Sequence, residues 1–283
     1  MCRWFLFYSH NKIIMKDLLC KPNNSLIKQS YKKPYSPLLN VPNNRDHEIN
    51  VDGFGIGWYF DNNIEPCKYL GLKPPWNDIN LINISKFIKT HLLFGHIRAI
   101  KPFSNSIVHE YNCHPFSYKN FLFMHNGDIS NFNSFKKDVV TYLNNDIYSI
   151  IRGNTDSEFC FAIFLNMLKK KIFYNGGFLT PQYFKNLVLR VFKKIINFSI
   201  KNDKNASLSL NFAFTDGRTI ICTRFLNKVN EEPPSLYYLN KDNHIIVSSE
   251  PIDFEEPEWN LLDKNNMIVI KKNKTISINP ISI

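Results

Sequence analysis

No stretch of this sequence approaches the roughly twenty consecutive apolar residues needed to cross a bilayer. The apolar run nearest the N-terminus, Trp4 to Tyr8, is too short for a secretory signal core and gives way to polar His10, Asn11 and Lys12. A soluble cytoplasmic protein with no membrane partner is therefore expected. Closely spaced cysteine pairs are missing as well. Cys2, Cys20, Cys67, Cys113, Cys160 and Cys222 lie far apart with no CxxC, which argues against a zinc ribbon and a small disulfide scaffold and fits reduced thiols. Internal repeats are absent. The polar patches at Pro34 to Asn44, Asn197 to Ala206 and Asn230 to Pro234 read as surface loops, none long enough to divide the chain.

Acidic residues are fewer than basic ones, 24 against 35, which leaves a formal charge of +11. That balance suits a polyanion, but the lysines are scattered and accompanied by asparagine. The densest cluster, Lys169-Lys170-Lys171, follows an apolar helical pattern, where lysine commonly caps a C-terminus. No nucleic-acid-binding motif has its characteristic spacing, so no nucleic-acid partner is expected.

What is present is a large apolar complement, 44% of 283 residues, enough for a sizeable core. Short β-prone runs at Arg3 to Tyr8, Phe54 to Phe60, Leu92 to Ile97 and Phe121 to His125 are followed or separated by helical patterns at Leu81 to His91, Phe132 to Leu143, Ser157 to Leu168 and Tyr183 to Phe198. Further strands are expected at Leu208 to Phe214, Thr219 to Phe225, His244 to Ser248 and Met267 to Ile270. Two groups of strands with helices between them predict an α+β fold of two stacked sheets covered by helices.

Four stretches could carry chemistry. Cys2 sits behind a Met1 that aminopeptidases remove when the next residue is small. Its thiol would then share a residue with a free α-amine, whose reference pKa of roughly 7.7 to 8.0 suits a general base. The competing reading is the first residue of a buried strand. In FMHNGDISN, Asn126-Gly127 reads as a hairpin turn, or as an amide and a backbone N–H poised as an oxyanion hole. In FGHIRAI, Arg98 at a strand end either turns to solvent or grips a carboxylate. In GNTDSEF, Thr155 and Glu158 are spaced as a capping box, with Asp156 in the first turn, able also to pair with an ammonium. His96, His109, Cys113, His114 and His125 fall close together without a zinc spacing, so structural or supporting roles are expected and no metal is.

Taken in order, Cys2-Arg3, Asp52-Gly53-Phe54-Gly55, His96-Ile97-Arg98, Asn112-Cys113-His114-Pro115-Phe116, His125-Asn126-Gly127 and Thr155-Asp156-Ser157-Glu158 resemble the class II glutamine amidotransferases, which are N-terminal nucleophile hydrolases. The likeness runs along nearly the whole chain to the glutaminase-like subunit of the fungal glutathione-degrading complex, from MCRW to SSEPIDFEEPEWN. It implies a four-layer αββα sandwich and a single glutamine amidotransferase domain over residues 2–283. It implies Cys2 as nucleophile with its own amine as base, Asn126 and Gly127 as oxyanion hole, Arg98 on the substrate α-carboxylate and Asp156 on its α-ammonium. No cofactor is implied. After Arg98 relatives carry a small or hydroxyl-bearing residue, where this chain has Ala99-Ile100-Lys101-Pro102.

Because the resemblance uses the entire chain, no acceptor domain is expected. This favours γ-glutamyl amide hydrolysis, with glutathione as substrate and a metallopeptidase-like partner subunit implied by the fungal likeness. The alternatives are a glutaminase subunit that supplies ammonia from glutamine to a separate synthase, and a basic nucleic-acid-binding scaffold.

Overall fold

The computed structural model describes residues 2–31, 49–61, 63–100 and 107–283. Met1, the Pro34 to Asn44 patch and Lys101-Pro102 lie outside them. In chain order the elements are β1 (Arg3–Ile14), α1 (Met15–Leu19), α2 (Leu26–Gln29), β2 (Phe54–Trp58), β3 (Cys67–Gly71), α3 (Ile79–Ser85), β4 (Lys89–Ile97), β5 (Phe116–Tyr118) and β6 (Phe121–Ile129). There follow α4 (Phe132–Tyr142), α5 (Asn145–Tyr148), α6 (Asp156–Asn166), α7 (Lys170–Asn175) and α8 (Pro181–Asn202). The chain then returns to strands: β7 (Leu208–Thr215), β8 (Ile220–Arg224), β9 (Tyr237–Asn240), β10 (His244–Ser248), β11 (Asn260–Leu261), β12 (Asn266–Ile270) and β13 (Ile276–Pro280).

Two antiparallel sheets result. One has the order β11-β9-β10-β1-β4-β2-β3 and the other β13-β12-β8-β7-β6-β5. Strand alternation explains the layering. Trp4, Leu6 and Tyr8 meet Leu122, Met124, Ala213 and Ile268 between the sheets, while Phe5 and Phe7 pack with Leu18, Leu19 and Leu26 of α1 and α2 on the outer side. Phe121, Phe123, Phe212 and Phe214 of the second sheet pack outward against Phe161, Phe164, Phe184 and Val188 of α6 and α8. These are the four layers αββα expected from the sequence. Among the described residues no helix is long and apolar enough to cross a membrane.

Four local expectations are corrected. The helical pattern Leu81 to His91 is helix only to Ser85; from Lys89 the chain is strand, because Thr90 and Lys89 pair with Ile13 and Ile14 beyond a register shift in β1. The polar stretch Asn197 to Ala206 is helical to Asn202, since α8 runs on past Phe198. The triple lysine does not close a helix: α6 ends at Asn166, and Lys169 is the N-cap of α7, so these charges lie at the helix end that disfavours them. Finally, Asn126-Gly127 is not a turn, as β6 continues through both to Ile129 in register with β7.

Candidate active site

By the alternation of β1, Cys2 falls on the inter-sheet side with Trp4 and Leu6. It is half-buried, and its Sγ sits against the backbone just past the end of β4: the Ala99 N–H donates to Sγ at 3.4 Å, and the thiol donates to Ala99 O at 3.6 Å. Three of the other thiols, Cys113, Cys160 and Cys222, are buried. Burial pushes Cys113 up to about 11, against the pull of the Arg98 charge, and raises Cys160 and Cys222 as well. Asp52, two residues before β2, secures the Ala99 segment, accepting from Ile100 N at 2.6 Å.

Across the layer, Asn126 alternates with His125. Met124 and Leu122 face inward, so Asn126 does too, while His125 turns to α6. The backbone pattern then places Gly127. Its cross-strand partner Leu210 gives its N–H to Phe225 O of the segment following β8, so the Gly127 pair is the type that exchanges no ladder bonds. Gly127 therefore points its N–H off the other side of β6, where β5 pairs only as far as Phe116 with Phe123. The flanking groups on that side are already engaged: His125 O accepts from His96 Nε2, and Ile129 N donates to Asp156 Oδ2. Glycine is required here for space rather than for turning, because a Cβ would lie 1.9 Å from Ser209 O and 2.6 Å from His125 Nε2. Asn126 is 1% exposed, and its Oδ1 has no hydrogen-bond partner among the described residues.

Arg98 extends the β2–β4 ladder, its N–H donating to Gly53 O at 2.8 Å. The side chain is buried rather than turned to solvent, and Nη1 donates to Ile107 O at 2.8 Å. Asp156 opens α6, with Thr155 as N-cap accepting from Glu158 N. Only half of the capping box forms, because the Glu158 carboxylate accepts from Arg152 N and Gly153 N instead of reaching back to Thr155. Asp156 Oδ1 accepts from Ser157 N at 2.7 Å and Oδ2 from Ile129 N at 3.0 Å. Ser157 Oγ lies 3.2 Å from Oδ1 as a third donor. A carboxylate has about four acceptor sites, so even three such bonds leave room for one from an ammonium. Asp156 thereby ties α6 to the strand that carries Asn126 and Gly127.

The scattered histidines converge. His96 Nε2 lies 3.1 Å from His125 O and 2.9 Å from His114 Nδ1. A carbonyl can only accept, so Nε2 of His96 carries the proton, and His114 Nδ1 must then accept from it. Burial lowers His96 to about 3 and takes His114 well below the ordinary value, so both rings are neutral near pH 7. His125 continues the chain through Ser157 Oγ at 2.8 Å, and its Nε2–H donates to Ser209 O at 2.9 Å. Among the described residues no group of three or more His, Cys, Asp or Glu is arranged to hold a metal ion.

The sequence reading overlooked a buried ion pair beside Cys2. Arg3 Nε donates to Glu250 Oε1 at 2.7 Å, and both residues are buried. The signal was a charge inside the apolar run RWFLFY, which demands a buried partner.

A half-buried thiol at the head of an inner strand, in a four-layer αββα sandwich, is the architecture of the N-terminal nucleophile amidotransferases. The chain belongs to the class II glutamine amidotransferases, whose family description matches residues 40–235. It is 31% identical to the probable glutamine amidotransferase DUG3 of Saccharomyces cerevisiae, over 99% of this chain and 84% of that protein. Among solved structures it resembles a glutamine aminotransferase class-II domain protein from Silicibacter pomeroyi, with a TM-score of 0.69 and 23% identity over the whole of both chains. It also resembles the glutamine phosphoribosylpyrophosphate amidotransferase of B. subtilis, with a TM-score of 0.61 and 14% identity over all of this chain and 50% of that one. At these identities the structural likenesses speak for the fold.

Proposed function

We propose that this amidotransferase-family chain is a γ-glutamyl amide hydrolase that cleaves glutathione to glutamate and cysteinylglycine, acting as a single domain over residues 2–283 after loss of Met1. The observation that carries the proposal is the Gly127 N–H, directed off the open side of β6 next to inward-facing Asn126, in the same inter-sheet layer as Cys2. Together they supply a nucleophile and two donors.

In this reading the Cys2 α-amine takes the thiol proton and the thiolate attacks the γ-carbonyl carbon. Asn126 Nδ2 and the Gly127 N–H hold the resulting oxyanion. Collapse breaks the amide C–N bond, the protonated α-amine gives its proton to the departing nitrogen, and a Cys2 γ-glutamyl thioester remains. Water, deprotonated by the same amine, releases glutamate. Arg98 holds the substrate α-carboxylate and Asp156 its α-ammonium. Glutathione as substrate and a metallopeptidase-like partner rest on the likeness to the fungal glutathione-degrading subunit. The family's defining substrate supports a second reading, a glutaminase subunit serving a separate synthase.

The test is to incubate protein with an untagged N-terminus with glutathione and with glutamine, alone and with partners pulled down from its source. Faster release of cysteinylglycine supports the hydrolase, and faster release of ammonia the glutaminase. Intact mass should lack Met1; active enzyme that retains it would exclude the α-amine as base. Cys2→Ala should abolish turnover with the fold intact. Asn126→Ala should lower kcat about 100- to 1000-fold, the usual effect of losing one oxyanion donor. Retained activity in either variant removes that residue from the mechanism.

A further inference from the structure

Register places Arg3 opposite Glu250. Phe5 pairs with Ser248 and Leu6 with Val247, so the same count carried past the end of the ladder sets residue 3 against residue 250. Both side chains lie on the outer face of the first sheet, the face opposite Cys2. The Arg3 guanidinium gives Nε to Glu250 Oε1 at 2.7 Å and Nη1 to the Cys2 carbonyl oxygen at 3.2 Å. Glu250 Oε2 accepts from Asn24 Nδ2 at 3.3 Å, and Asn24 also donates to Pro251 O at 2.8 Å. Arg3 is 7% exposed, Glu250 3% and Asn24 2%.

A buried ion pair is a poor stabilising device, since well-packed apolar residues often do as well or better. What it offers is direction. The guanidinium is planar, so its bonds to Glu250 and to Cys2 O are held at a fixed mutual angle. The backbone of Trp4 is already fastened to Ser249, donating to its Oγ at 3.0 Å and accepting from its N–H at 2.9 Å. Arg3 carries that anchoring one residue further, to the peptide that bears the nucleophile.

We propose that Arg3 and Glu250 are positioning residues for Cys2: the pair sets the Cys2 peptide plane, and through it the direction of the thiol and of the α-amine on the same residue. The inference rests on the reading of Cys2 as nucleophile. The pair reaches Cys2 through its carbonyl oxygen, from the sheet face opposite the thiol, so its loss slows the chemical step and leaves substrate affinity alone.

Arg3→Lys keeps the charge but cannot span both partners in one plane, and Glu250→Gln keeps the shape but weakens the clamp. The double variant Arg3→Met/Glu250→Leu removes both ions together and retains stability. Each is assayed for kcat and KM on whichever γ-glutamyl compound the wild type turns over faster, and for the rate at which iodoacetamide alkylates Cys2, read by peptide mass spectrometry. Expected are a kcat lower by about 10- to 100-fold, the scale of a displacement near 1 Å, a KM within about twofold, and Cys2 alkylation falling in parallel. A kcat and an alkylation rate that stay at wild-type values in folded Arg3→Lys and in the double variant would overturn the proposal. Alkylation needs no turnover, so a wild type that releases no glutamate defeats the hydrolase reading separately, and the alkylation comparison still decides the role of the pair.

Discussion

On the outer face of the first sheet, Arg3 and Glu250 are buried as ions; between the sheets, His96 and His114 are buried as neutral rings. The ions are joined at 2.7 Å, Arg3 Nη1 reaches Cys2 O, and Glu250 Oε2 accepts from Asn24. The rings share one proton-bearing nitrogen and leave His96 Nδ1 and His114 Nε2 without a hydrogen-bond partner among the described residues. The difference follows from desolvation. A charge cannot be left buried and unpaired, whereas an imidazole can shed its proton and tolerate incomplete bonding. The two clusters should therefore fail under different insults, the ions to removal of one partner and the rings to acid.

The largest effect is expected from separating the ions. Glu250→Leu leaves the Arg3 guanidinium buried without its carboxylate and should cost about 3–5 kcal/mol in urea denaturation, while adding Arg3→Met should recover most of the loss. A single variant as stable as the wild type would mean that Arg3 finds water or another acceptor, and the contrast with the rings would collapse.

Acid tests the other side. His96 is lowered to about 3 from an ordinary value near 6.5, so at intermediate pH the unfolded chain binds a proton that the folded chain refuses. Stability is then fully present above about pH 6.5 and falls as the pH drops toward 3, by about 1.4 kcal/mol per pH unit for each such ring. His114, lowered in the same direction, adds to the slope. His96→Gln keeps an amide donor for His125 O and removes one titration. Its unfolding free energy between pH 6 and 4 should fall less steeply than the wild type's by about 1.4 kcal/mol per unit. Parallel slopes would show that His96 is protonated in the folded state.

Cys2, Arg98, Asn126, Gly127 and Asp156 could all be picked out as motif residues, and the strand alternation that turns Cys2 and Asn126 to one layer could be read from the apolar pattern. The ion pair could not. Arg3 announces that it needs an acid, but Glu250 is 247 residues away, and only the pairing of β10 with β1 selects it. Asn126-Gly127 misled because its local preference is for a turn, while the reason for glycine is tertiary: Ser209 O on the neighbouring strand occupies the space of a side chain. Edge strands β3, β5 and β13 escaped notice for a related reason. Their residues are mostly partly buried or exposed, and without one face held dry they lack the clean alternation that marks an inner strand.

The smallest effect isolates burial as the cause. Lys241 sits 3.1 Å from Glu256 and 2.6 Å from Glu258, at distances like that of Arg3 from Glu250 but at the protein surface. The ammonium holds Glu256 below the usual carboxylate range, and Lys241 itself is raised, first by its bond to Glu258. Water screens these charges, and ordering two long side chains offsets most of what attraction remains. Lys241→Met should move the melting temperature slightly at low salt and by less still in 1 M NaCl, where the screening length falls to about 3 Å. The Glu250→Leu deficit should persist in the same salt, because ions do not enter the space around Arg3. Equal salt sensitivity at the two sites would show that the Arg3 pair is wetted, and would remove burial as the reason that it needs a partner.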